Sequence, residues 1–151
     1  MTLLKHGKDL KSVQMPLPDH DWSSQVGNAL IGEQLNYDQD QECILAGQHI
    51  HQLNTEQHDT HDKIISSVEA CAGQVFFLNG PGGTGKMFVY NTICNTIRSK
   101  GWIVLCITSS GIASLLLHGG RTAHSMFKIP LKPDNKRYCP IAKQGNLTDL
   151  I

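Results

Sequence analysis

An open α/β fold with a parallel sheet is what this sequence predicts, and three observations predict it. Two short unbroken apolar runs, Val75–Phe76–Phe77–Leu78 and Trp102–Ile103–Val104–Leu105–Cys106–Ile107, have the pattern of strands buried on both faces. Between them, from about Lys86 to Lys100, Phe88, Val89, Ile93 and Ile97 recur at helical spacing and Gly101 closes the segment. Strand, helix and strand together have the size of a βαβ unit. A chain of 151 residues buries one ordinary core, so one domain or a piece of a larger one is expected.

The first 52 residues mix Pro, Gly, Asp, Gln and Asn with short apolar pieces and read as an irregular lead-in. Within it a helix around Asp40–His51 carries Cys43, Ile44, Gly47 and Ile50 as its apolar stripe. Order sharpens at Leu53. Asn54 is a good N-cap and Gln57 stands three residues on, as a capping box requires. The helix that follows places Ile64, Ile65, Val68 and Cys71 on one face, and Gly73 supplies its stop. Beyond the second strand, Ser109 or Ser110 caps a third helix through Leu117, ended by Gly119–Gly120. The remainder, with Pro130, Pro133 and Pro140, reads as an extended basic loop.

The formal net charge of zero conceals an asymmetry. Residues 1–97 hold five Lys/Arg against eleven Asp/Glu, and residues 98–151 hold eight against two. A basic end suits an anionic partner such as nucleic acid, and equally describes an uneven solvated surface. No apolar run approaches the ~20 residues that cross a bilayer, so no membrane partner is expected. The five cysteines are odd in number and form no Cys-x-x-Cys pair. Cys94 and Cys106 lie in core-like patterns, which favours a reducing compartment over a disulfide scaffold. His49, His51, His58 and His61 beside Cys43 lack metal-ligand spacing and read as surface histidines, with no metal site on the protein's own side chains.

Gly80-Pro81-Gly82-Gly83-Thr84-Gly85-Lys86 satisfies G-x-x-x-x-G-K, the phosphate-loop pattern. Its glycines let backbone N–H groups curl around a phosphate with no Cβ in the way. The next helix points its positive end at the anion, and Lys86 adds a full charge to the outer phosphates. The pattern asks for Ser or Thr next, to hold Mg²⁺. Met87 stands there instead, and a thioether is a poor ligand for a hard cation. Phosphate binding is expected to survive this change, and hydrolysis to weaken.

Together with the loop, Leu53–Gln57, Phe76–Asn79, Ser109–Ala113, Gly119–Ser125, Phe127–Pro130 and the lead-in Ile31–Asp38 resemble the Pif1 family of helicases, especially its Helitron-associated members. The resemblance covers roughly residues 30–132. It implies a RecA-like P-loop NTPase fold, with flanking helices on the parallel sheet, of which residues 53–151 form an incomplete domain. It also implies ATP and Mg²⁺ as cofactors and single-stranded DNA as partner, tracked from 5′ to 3′, in a nuclear or mitochondrial setting. By position, Gln57 would bond the adenine edge, Gly80 to Met87 would hold the phosphates, and Lys86 would be catalytic. Ser109, Ser110, Gly111, Thr122 and His124 would touch DNA. For Ser109–Gly111 helix capping is the competing role, as the capping box is for Gln57. The family's acidic Walker B pair has no counterpart in these residues, so the chain is expected to be a fragment or truncated product with little turnover alone. A nucleotide- or DNA-binding module without turnover is the alternative, and a small phosphotransferase a third.

Overall fold

The computed structural model describes residues 28–130, 139–143 and 145–151. Its elements run α1 (Ala29–Leu35), α2 (Gln39–Ile50), α3 (Thr55–Glu69), α4 (Lys86–Ser99), β1 (Ile107–Thr108), α5 (Gly111–Ser114), β2 (Arg121–Thr122), α6 (Ala123–Phe127) and α7 (Asn146–Leu150). Helices with a small parallel ladder agree with the expected α/β class, although the sheet is far smaller than the apolar runs suggested.

Helix α4 is the axis of the core. Val89, Ile93 and Ile97 are buried along it and meet Ile65 of α3, with Leu53, Ile64, Leu78 and Val104 packed around them. These are the periodic residues of the sequence, and their spacing puts them on one stripe. The helix α3 begins as expected. Asn54 accepts from the Gln57 N–H at 2.9 Å and the Gln57 side chain accepts from the Asn54 N–H at 3.1 Å, a complete capping box. Its buried face differs from the expected one: Val68 in the last turn and Cys71 beyond the helix are exposed, and His61 near the middle is buried.

Several expectations are corrected. Val75–Leu78 forms no ladder, and Val75 and Phe77 are 96 % and 90 % exposed. Leu78 alone of this run packs against the core cluster. A strand buried on both faces needs a ladder neighbour and a layer on each side. Among the described residues this segment has α3 and α4 beneath it and no paired strand beside it. Of Trp102–Ile107, only Ile107 enters a ladder. The observed parallel pair is β1 with β2, in the register Ile107↔Arg121 and Thr108↔Thr122. Its second strand and the helix α6 lie where an extended loop was expected, and residues 131–138 of that loop fall outside the described part. Strand signals fail here because two-residue strands carry no periodicity.

The lead-in is also more regular than its composition suggests over residues 28–52. Asn28 and Asp38 cap α1 and α2 through their side-chain oxygens, which offsets the weak apolar pattern. Helix α2 packs against α4, turning Glu42 and Ala46 inward while Cys43 and Ile44 face out. The expected stripe is therefore rotated on the helix. None of the helices among the described residues is long and apolar enough to cross a membrane.

Candidate nucleotide-binding site

The loop from Gly80 to Gly85 joins the extended segment at Leu78 to the first turn of α4. Gly83 and Gly85 adopt φ of +80° and +76°, backbone that a Cβ strains. Gly85 is the N-cap of α4, and no side chain among the described residues caps that helix. Its leading N–H groups are thus left for an outside acceptor, at the end where the helix dipole favours an anion.

Lys86 is folded back onto its own loop. Its Nζ donates to the Gly80 and Pro81 carbonyls at 2.7 and 2.6 Å and lies 3.4 Å from Thr84 Oγ1. Thr84 Oγ1 in turn donates to the Pro81 carbonyl at 3.0 Å. A phosphate entering the loop would take over the lysine from two neutral carbonyls, exchanging them for an ion pair.

Gln57 closes the other side. Its Nε2 donates to the Thr84 carbonyl at 3.1 Å while its Oε1 serves the capping box. The amide expected to read adenine is thus joined to the phosphate loop itself. Between these groups lies a cleft of about 470 Å³, lined by Asn54, Gln57, Thr60 and Leu78 on one side and Gly80, Thr84 and Lys86 on the other. That volume is within the range of small-molecule sites. The glycines, the lysine and the free helix end fit an array of phosphates. Position 87 does not fit a magnesium ion: Met87 offers sulfur where a hard cation needs oxygen.

The two segments expected to touch DNA come together by a different route. Parallel pairing of Thr108 with Thr122 brings Ser109–Gly111 and Thr122–His124 side by side at the carboxyl ends of β1 and β2. Open α/β sheets bind ligands at that edge. Ser110 Oγ accepts from the Ala113 N–H at 3.3 Å and caps α5, and Thr122 Oγ1 accepts from the Ser125 N–H at 3.2 Å and caps α6. Ser110 therefore performs the capping role weighed against DNA contact, and Thr122 performs one that the sequence did not signal. Ser109, Gly111 and His124 are exposed beside them. None of these five residues lines the cleft beside Lys86.

A family description, PIF1-like helicase, matches residues 52–151, about two-thirds of the chain. The chain belongs to the PIF1-like helicase family. No curated protein matches it. Membership supports a helicase-type function that uses ATP and acts on nucleic acid, and it covers the phosphate loop, Gln57 and both segments at the edge of β1 and β2.

Three residues that tie this core together carry no signal in the sequence. Asn91 on α4 donates from Nδ2 to the Leu116 carbonyl at 3.0 Å and accepts from the His118 N–H at 3.1 Å. It ties the phosphate-loop helix to the turn between the two edge segments. His61, expected on the surface, is 4 % exposed and bonds Thr96 Oγ1 of α4 at 3.1 Å. Arg98 is 2 % exposed, with its guanidinium 3.8 Å over the Tyr37 ring. Polar residues on the inner face of a helix interrupt the apolar pattern and leave no positive signal in sequence.

Proposed function

We propose that this chain is the ATP-binding N-terminal part of a DNA helicase motor that moves 5′ to 3′ along single-stranded DNA. In this reading it serves repair, recombination or telomere maintenance in the nucleus, with mitochondria as the second setting. Asn91 is the observation that carries the proposal. Helix α4 starts at the phosphate-loop lysine, and through Asn91 it holds the turn that separates Ser109–Gly111 from Thr122–His124. A change at the loop therefore has a hydrogen-bonded route to the DNA segments, as a motor needs.

Bound ATP supplies the phosphate transfer whose energy drives movement. Gly80–Gly85 would cradle its phosphates, and Lys86 would offset their charge. Gln57 would hold the loop from the base side. Gly111 and the exposed hydroxyl of Ser109 would meet the DNA backbone, with His124 beside them. The Met87 thioether favours a second reading for this chain, a binding module that retains nucleotide and DNA without efficient turnover.

Anisotropy of a labelled oligothymidylate tests the proposal, measured with and without a non-hydrolysable ATP analogue. The expected outcome is salt-sensitive binding whose affinity shifts about threefold or more with the analogue. Asn91→Ala should abolish that shift and leave each ligand's own binding in place. Identical DNA affinity with and without the analogue would refute the coupling.

A further inference from the structure

Cys94 of α4 and Cys106, which leads into β1, lie together in the core with Sγ atoms 3.1 Å apart. Both are buried, at 6 % and 7 % exposed. The other free cysteines of the described residues, Cys43, Cys71 and Cys139, are all exposed. Disulfide sulfurs sit ~2.05 Å apart, so closure would require an approach of about 1 Å. The pair is also chemically asymmetric. Arg98 donates from Nη2 to Cys106 Sγ at 3.7 Å, and its Nε and Nη1 have no partner among the described residues. The hydrogen bond from Cys94, and then the Arg98 guanidinium, bring the Cys106 thiol down to about 7 against the opposing effects of burial and of Glu42. The same hydrogen bond, burial and the Cys106 charge push Cys94 far up, with Arg98 opposing and Glu42 adding to the rise. One sulfur is thus poised as thiolate and its neighbour held as thiol, the arrangement of an attacking and a resolving cysteine.

We infer that Cys94 and Cys106 are an oxidation site, a dithiol that a peroxide closes into a disulfide locking α4 to β1. The Cys106 thiolate attacks one peroxide oxygen and breaks the O–O bond, giving a sulfenic acid and hydroxide. Cys94 sulfur then attacks Cys106 sulfur; the S–S bond forms and the S–O bond breaks, with the Cys94 proton leaving in water. Hydroxide takes up the proton that Cys106 had released. Each cysteine loses one electron, and the peroxide gains two and becomes two waters. The product fixes the phosphate-loop helix against the strand that leads to Ser109–Gly111. A dithiol of this kind suits a reducing compartment, where disulfides are transient and responsive.

The test is peptide mapping of the purified chain after hydrogen peroxide and alkylation. Trypsin releases Cys94 in residues 87–98 and Cys106 in residues 101–121. The expected product is these two peptides joined, lighter by two hydrogens than their sum, in a monomer, and restored to separate peptides by dithiothreitol. In Cys94→Ser, dimedone should label Cys106 as trapped sulfenic acid, and Cys106→Ser should give no label at Cys94. Oxidation confined to Cys43, Cys71 and Cys139 in the wild-type chain overturns the inference. A joined pair found only in disulfide-linked dimers overturns it equally. Both readouts come from the wild-type protein and do not depend on how either variant folds.

Discussion

Gln57 grips the Thr84 carbonyl with Nε2 at 3.1 Å while its Oε1 holds the Asn54 N–H at the same distance. One side chain thus starts a helix and anchors the phosphate loop. Each half of the amide keeps a second donor or acceptor position, so Gln57 could meet an adenine edge without releasing either bond.

Gln57→Glu separates the two roles. The carboxylate still accepts from Asn54 and keeps α3 capped, but it faces the Thr84 carbonyl with no donor. Affinity for ATP and GTP analogues should fall together, by about tenfold, with little change in melting temperature. Gln57→Ala should lose both, adding about 1 kcal/mol of destabilisation from the lost cap. Fluorescence titration with the two nucleotides decides the matter. A loss confined to ATP would instead make Gln57 a base reader.

Met87→Thr restores an oxygen at the position next to Lys86. The wild-type chain should bind an ATP analogue about equally with Mg²⁺ or with EDTA. The variant should gain about tenfold on adding Mg²⁺. Equal magnesium dependence in both proteins would show that position 87 does not govern metal placement here.

His61 is the least expected part of the core. The Thr96 hydroxyl donates to the Thr92 carbonyl at 2.9 Å and meets His61 Nε2 at 3.1 Å. His61 Nδ1 meets Asp62 at 2.9 Å, and that bond first, then His58, holds the Asp62 carboxyl below its ordinary range. His61→Ala should cost about 2–3 kcal/mol, because it opens a void between α3 and α4 and removes the buried bond to Thr96. Urea denaturation measures this, and a loss under 0.5 kcal/mol (about the effect of a surface change) would contradict it.

The thiol pair gives stability a distinct pH course. With its folded value near 7 and its ordinary value at 9.0, Cys106 ionises earlier in the folded protein. Its contribution to stability therefore grows as pH rises from 7 to 9. Cys94, raised above 9.0, acts oppositely, and its contribution is lost once unfolded chains ionise there above pH 9. Unfolding free energy of the wild type should gain on that of Cys106→Ser between pH 7 and 9. A constant difference across that range would count against the thiolate.

How much could be read beforehand follows from which interactions are local. The capping box, α4 and the glycine loop were legible, since each depends on residues within a few positions of one another. Asn54 and Gln57 are an example, three residues apart. The strands were not. Val75 and Phe77 look like buried strand residues, but pairing depends on a neighbour distant in sequence, and the only described ladder joins Thr108 to Thr122. Tyr37 belongs by composition to an irregular lead-in, yet its ring lies under Arg98 and edge-on to His118. A contact between residues so far apart in the chain has no trace in local composition. For the site, the position of each phosphate-loop residue was legible. That Lys86 folds back on Gly80 and Pro81, and that Asn91 joins the helix to the turn at His118, required the structure.

The central claim is that Lys86 and its loop bind the phosphates of ATP. Titration of a fluorescent ATP analogue into the native chain and into Lys86→Ala, with and without Mg²⁺, tests it most directly. Saturable binding by the native protein in either condition, weakened at least about tenfold in Lys86→Ala with the fold retained, is the result predicted. Equal affinity in the two proteins would contradict it.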